Sequence, residues 1–293
     1  MDNRLLSFLR IKLYNSFGQI EMGGAESKGW RIKTITGLGI VARSVQTATY
    51  VGFDGQDVLG EVAGPRTITI TGDIYNSGHL QDEVSRADRI LYRDITVEVQ
   101  FGLKRRRATC WTSSFEAGER DVYVQQFSLQ LIADDPAFYD CEENVCAIYQ
   151  NVGLLRTSFT LPCLFSQRIS EADIFNFGDL KIEPVICITC FHKRDMVSET
   201  SGINIYNTTA DGSVHLISLE TGLAVGETVT IDIASRKITS STRGTIYCLA
   251  EGSFLSDFWL DLGNNHIVVE NLNTNEDILA QCRYYAKYVE AEY

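Results

Sequence analysis

Alternation of apolar and polar residues with a period of two runs through most of this chain, and it limits the possible folds more than any other feature. Thr67-Ile68-Thr69-Ile70-Thr71, Ile95-Thr96-Val97-Glu98-Val99-Gln100-Phe101 and Thr228-Val229-Thr230-Ile231-Asp232-Ile233 show it cleanly. Successive side chains of a strand point to opposite faces, so each run buries one face and wets the other, as antiparallel sheets do. Tyr123, Gln125, Phe127, Leu129 and Leu131 share one such face, and Cys282, Tyr284, Ala286 and Tyr288 share another near the end. Turn signals separate the runs: Asp54-Gly55, Asp211-Gly212 and Gly263-Asn264-Asn265.

One segment keeps a different period. Leu80, Val84, Ala87 and Leu91 form a single apolar stripe at helical spacing, which predicts one amphipathic helix over 80–93 with Asn76 or Ser77 capping its start. Asp134-Asp135-Pro136 closes the first strand block, and a stretch of weak periodicity follows. Strands then resume at Val185–Phe191, Ile203–Asn207, Val214–Leu219, Thr228–Ile233, Thr245–Leu249, His266–Val269 and Ala280–Lys287, a spacing typical of a jelly roll or related sandwich. The expected division is a β domain with the helix over 1–140, a linker over 141–160 and a β-sandwich over 161–293.

Composition removes whole classes of function. With 293 residues the chain suits two domains and, burying roughly 75% of its extended surface, needs no metal or disulfide to fold. A hydrophobic content of 44% with 22% charged residues excludes extensive disorder. Lys and Arg number 26 against 38 Asp and Glu, a net charge of −12 that disfavours binding to nucleic acid by counterion release. No apolar run approaches the roughly 18 residues of a membrane span, and Met1-Asp2-Asn3-Arg4-Leu5 does not open a secretory signal. The eight cysteines (110, 141, 146, 163, 187, 190, 248 and 282) read as free thiols of a protein kept in a reducing cytoplasm.

Candidate chemistry is sparse. Cys187-x-x-Cys190 before His192 has a zinc-like spacing, but in an alternating strand the two thiols point to opposite faces and cannot both reach a metal at about 2.3 Å. Gly37-Leu38-Gly39 lacks the third glycine and the helix of a dinucleotide loop, which leaves a turn. The four histidines sit in no zinc-protease motif and beside no nucleophile elbow. Lys104-Arg105-Arg106-Arg107 is the only basic cluster; following Gly102, it predicts a hairpin turn and its return strand, either a solvated edge or a contact with an acidic partner or neighbouring subunit. Trp259 is either core or a platform for stacking a sugar.

The order of segments carries more than any single motif. Gly29-Trp30-Arg31-Ile32-Lys33-Thr34-Ile35-Thr36-Gly37-Leu38-Gly39, then Asp54-Gly55, then Pro65-Arg66-Thr67-Ile68-Thr69-Ile70-Thr71-Gly72, resembles the start of the distal tail (Dit) proteins of phages. A helix, a hairpin and Asp135-Pro136-Ala137-Phe138-Tyr139 follow in the same order. Asn176-Phe177-Gly178-Asp179, Gly226-Glu227-Thr228-Val229, Phe258-Trp259-Leu260-Asp261 and Arg283-Tyr284-Tyr285 are similar to the second half. Residues 141–175 carry no landmark of that family. The resemblance implies a mainly β protein with an N-terminal barrel-like domain that forms a homo-hexameric ring and a C-terminal galectin-like sandwich outside it. It implies a place at the tail tip of a long, non-contractile tail, after assembly in the host cytoplasm. Its partners would be the tail tube protein, the tail-tip hub, the tape measure protein and receptor-binding proteins, with no cofactor, metal or catalytic step.

Two other classes stay open at this level: a carbohydrate-binding module for host cell-wall glycans, using Trp259, and a β-sandwich glycoside hydrolase, since carboxylate separation is set by the fold. For a ring, the acidic balance takes a second meaning: a negatively charged passage lets DNA slide by like-charge repulsion.

Overall fold

The computed structural model describes residues 8–23, 29–52, 54–75, 79–148, 150–153, 166–193, 201–273 and 276–291. The chain divides into two compact units, 1–141 with 288–293 and 142–287. The second unit is therefore an insertion in the chain of the first, and two chain crossings join them.

The first unit is built from β1 (Leu9–Asn15), β2 (Gly18–Gly23), β3 (Trp30–Thr36), β4 (Arg43–Ala48), β5 (Asp57–Ala63), β6 (Arg66–Tyr75), α1 (Leu80–Leu91), β7 (Ile95–Phe101), β8 (Lys104–Arg120), β9 (Val124–Ala133) and β10 (Phe138–Asp140). Seven strands close on themselves in the order β8-β7-β1-β2-β3-β6-β9 and back to β8. Closure depends on the length of β8. Its first half pairs with β7, from Lys104 opposite Phe101 to Cys110 opposite Ile95, and its second half pairs with β9. Register shifts at Thr112/Ser114 and Ala117/Arg120 add the local twist that lets one strand serve both neighbours. Barrel closure removes the open edges that invite aggregation.

Inside lie Leu9, Ile11, Leu13, Ile68, Ile70, Val97, Val99, Leu129 and Leu131, all fully buried. The face expected from Gln125 to Leu131 is buried, whereas Tyr123 is exposed beside the β8–β9 turn. The helix ends at Leu91, two residues short of the expected boundary, and buries Leu80, Ala87, Ile90 and Leu91. His79 occupies the cap position without a side-chain capping bond; Asn76 and Ser77 lie outside the described residues. Asp82 and Glu83 in its first turn suit the positive end of the helix dipole.

The second unit comprises β11 (Asn144–Ile148), β12 (Gln150–Gly153), β13 (Ser166–Ile169), β14 (Glu171–Asn176), β15 (Val185–Lys193), β16 (Ile203–Thr209), β17 (Val214–Leu219), β18 (Thr228–Asp232), β19 (Lys237–Ser240), β20 (Gly244–Thr245), β21 (Gly263–Asn271) and β22 (Glu276–Tyr284). A six-stranded sheet, β11-β22-β15-β18-β19-β20, and a four-stranded one, β14-β21-β16-β17, give it a sandwich-like build; β12 and β13 pair separately. Buried Ile186, Ile188, Val229, Ile231, Ile205, Ile217, Ile267 and Phe258 belong to its core. Strand β11 lies within the stretch expected as linker. The strand expected over 245–249 is only partly formed. After Thr245 the chain crosses to β17, where Leu249 bridges Leu219 and the Ser218 carbonyl accepts from the Ala250 amide. A short β23 (Lys287–Tyr288) follows, and residues 288–291 rejoin the first unit, where Tyr288 lies on the β10 side of the sheet.

Candidate functional site

The motifs that carried the resemblance converge on one buried arginine. Arg66, at the start of β6, is 1% exposed. Its Nε donates to the Pro136 carbonyl at 2.7 Å, Nη1 to the carbonyls of Gly37 and Gly39 at 2.6 Å each, and Nη2 to that of Val289 at 2.6 Å. The guanidinium lies 4.3 Å from the Phe138 ring centre. Only a planar fork of donors serves carbonyls spread in this way. Gly37 is required here: its φ is +90°, and a Cβ would collide with the Thr67 carbonyl. Leu38 between the glycines is buried, and its carbonyl accepts from the Ala291 amide at 2.9 Å. The glycine pair is thus a turn that delivers carbonyls. Burial lowers the Arg66 pKa from its ordinary value, with Cys110 and Asp135 opposing.

Outside the barrel stands a second element. Strands β4 and β5 pair only with each other, from Arg43 opposite Ala63 to Ala48 opposite Asp57. Every residue of both strands is exposed except Ala48, which is half-buried. Yet the ribbon and its turn carry Val45, Tyr50, Val51, Val58, Leu59 and Val62, all among the exposed large apolar residues. Arg43 pairs with Glu61 at 3.0 Å near its base. An isolated two-stranded ribbon is marginal in water, and apolar residues exposed on both strands are unusual for a surface that meets water alone. Sequence reading missed it because neither strand alternates against a core.

The basic cluster opens β8, directly after the Gly102–Leu103 turn, as its spacing predicted. Its members have different surroundings. Lys104 and Arg105 are exposed, and Arg105 pairs with Glu98 at 2.7 Å. Arg106 lies over the Tyr288 ring, 3.5 Å from its centre, and donates to the Glu290 carbonyl. Arg107 is half-buried, in register with Tyr139 of β10. The cluster is therefore partly a fastening for residues 288–290.

Trp259 is half-buried in the second unit. His215 packs on its indole with centroids 4.1 Å apart, Lys181 Nζ lies 4.2 Å from the ring centre, and its backbone carbonyl accepts from Asn207 at 2.7 Å. Cys187 and Cys190 lie on opposite faces of β15, the first half-buried and the second buried. All seven described cysteines are free, and Cys163 lies outside the described residues. Burial pushes the Cys110 thiol up to about 12 and raises Cys282 too, so neither is a nucleophile at neutral pH. His266 lies 2.9 Å from Asp173 and His192 lies 3.6 Å from Asp277, both as surface pairs. Among the described residues no group of His, Cys, Asp and Glu is arranged to hold a metal, and no helix is long and apolar enough to cross a membrane.

No family model matches this chain, and no curated protein sequence does. The fold does have counterparts. The Dit protein (gp 19.1) of SPP1, described as a paradigm of the hub adsorption apparatus in phages infecting Gram-positive bacteria, superposes with a TM-score of 0.62 over 87% of this chain and 92% of that one, at 14% identity. A chain of the phage p2 baseplate in its activated conformation with Sr matches at 0.48 and 12% identity, covering 94% of this chain and 97% of its own. At that identity the SPP1 match shows a shared fold, reached independently of the motifs that carried the resemblance.

Proposed function

We propose that this chain is a structural distal tail protein of a long-tailed phage or prophage, which forms a ring of six joining the tail tube to the tail-tip hub. The single observation that carries this reading is the β4–β5 ribbon, in a molecule whose fold is that of a phage Dit. Its apolar side chains need a partner surface, and the barrel beside it has spent its own strand edges in closure. A projecting ribbon that docks on a different face of an identical neighbour is a heterologous contact, and such contacts repeat into a ring when the rotation between neighbours closes. The work is assembly and mechanical coupling, with no chemical step. The C-terminal unit, in this reading galectin-like, lies outside the ring and anchors receptor-binding proteins.

Within such a ring Lys104 and Arg105 face a subunit junction or a tail partner, and the surplus of acidic residues keeps DNA moving through the passage. Native mass spectrometry of the whole chain tests the proposal. A hexamer is expected, lost in Val58→Asp/Leu59→Asp, while the lone subunit stays folded because both residues are exposed. A wild-type monomer at every concentration, or a hexamer indifferent to those changes, overturns it.

A further inference from the structure

The second unit holds a groove that the ring reading leaves unused. It has a volume of about 530 Å³ and lies between the β18–β19 turn and the crossing segment 245–249. Such a volume is within the range of sites that hold a ligand side chain or small molecule. Its floor is aliphatic: Ile238 and Leu255, both 4% exposed, with Ile246 and Leu249. Its rim holds Arg236, Lys237 and Tyr247, and Tyr247 is 98% exposed.

Two features set the rim apart from the rest of this unit. Arg236 has φ +53°, the one positive φ at a non-glycine among the described residues, in a turn position that glycine or asparagine fills at lower cost. Departures of that kind cluster at working sites. The charge is also out of place. Residues 151–293 hold 10 Lys and Arg against 18 Asp and Glu. From 201 to 282 there are three basic residues: Arg243 is held by Glu227 at 2.6 Å, and the other two are Arg236 and Lys237, which make no side-chain ion pair among the described residues. Asp232, opposite Lys237 in the β18–β19 register, accepts from the Ser235 amide at 3.0 Å.

Two cations and an exposed tyrosine over an aliphatic floor suit a protein segment better than a sugar, whose hydroxyls need in-plane polar partners that the floor lacks. Tyrosine and arginine are also the side chains most enriched at the anchoring centres of protein interfaces. We propose that this groove seats an acidic, aliphatic segment of a partner protein, with an aliphatic side chain on Ile238 and Leu255 and flanking carboxylates on Arg236 and Lys237. The proposal gives the partner-anchoring part of the function a location, and it is read by binding to the full chain, so it and ring formation can fail separately.

The test is fluorescence anisotropy with a labelled peptide of alternating Asp and Leu, alongside Lys–Leu and Asp–Ser counterparts. The Asp–Leu peptide should bind, more weakly at higher salt, and the counterparts should not. Arg236→Glu/Lys237→Glu should weaken it at least about tenfold, as expected for reversing charges at a contact, with an unchanged circular dichroism spectrum. Arg236→Gly should raise the melting temperature by relieving the turn while weakening binding, a split that a purely structural arginine would not give. Absence of binding, equal binding of the Lys–Leu or Asp–Ser peptide, or stronger binding of a poly(glycerol phosphate) polymer insensitive to Leu249→Ser would each overturn the proposal.

Discussion

Each unit ties down an irregular stretch with a buried charged group, but the two clasps have opposite chemistry. In the first unit the cation of Arg66 gathers carbonyls from 37–39, 136 and 289. In the second, carboxylates gather the loop 221–227. Glu227 accepts from the Ala224 amide at 2.8 Å, from Arg243 Nε at 2.6 Å and from the Ser240 hydroxyl; Glu276 accepts from Lys193 at 2.8 Å and from the Leu223 amide at 3.3 Å. Carbonyls do not titrate and a guanidinium stays charged throughout the stable range, so the first clasp ignores acid. The second depends on Glu227, whose carboxyl protonates in acid. The difference teaches that the segment at Val289 is fastened by a device indifferent to pH, whereas the clasp of the inserted unit is not.

The comparison is broken most forcefully at Arg66. Arg66→Met leaves four carbonyls without their donor and should cost about 3 kcal/mol or more, since a buried acceptor left unsatisfied costs about 1–3 kcal/mol. Arg66→Lys should recover little of it, because one ammonium cannot span the Arg66 fork. Urea unfolding of the three proteins checks both. Gly37→Ala acts on the same clasp through the backbone, combining a φ of +90° with a collision at the Thr67 carbonyl, and should cost about 1–3 kcal/mol. If Gly37→Ala proved neutral, the turn would not be what aims its carbonyls at Arg66. In the second unit Glu227→Gln keeps the shape but loses the charge, and should cost about 2 kcal/mol, as for hydrogen bonds to an ionised group. Its effect should centre on 221–227 and on 240–243, which supply its partners, and hydrogen exchange resolves both by segment.

How far these devices could be read from sequence differs in the same way. Alternation located β7 to the residue, since its run ends at the Gly102 turn, and the apolar stripe located α1 but for its last two residues. The CxxC pair was legible as a strand because parity alone separates its thiols. Arg66 was not legible as a clasp: Val289 lies 223 residues away in sequence, and nothing local marks a carbonyl as its acceptor. Arg106 hides its second role for the same reason, stacking on Tyr288 from the far end of the chain. The β4–β5 ribbon and the groove at Arg236 escaped for a different one. Period-two reasoning finds residues that face a core; the ribbon's apolar groups face none, and the groove is defined by exposed Arg236, Lys237 and Tyr247 brought together from two separate segments.

Acid gives the smallest effect and the most selective one. Burial by itself would raise the Glu227 carboxyl, but the Ala224 amide, the Ser240 hydroxyl and Arg243 overcome it and hold it at about 2, below the ordinary 4.5. A carboxyl depressed in the folded state stabilises it fully above its unfolded pKa, and that stabilisation is lost as pH falls through the folded one. The window is therefore 4.5 down to 2. Across it, hydrogen exchange at 221–227, corrected for its intrinsic pH dependence, should quicken relative to exchange at 37–39, whose clasp holds no titrating acceptor. Glu227→Gln should flatten most of that difference, because it removes the carboxyl that the Ala224 amide, the Ser240 hydroxyl and Arg243 hold down. Equal acid sensitivity of the two segments in the wild-type chain would erase the contrast between the clasps, since it would mean that a carboxylate, and not the carbonyl set around Arg66, governs the first.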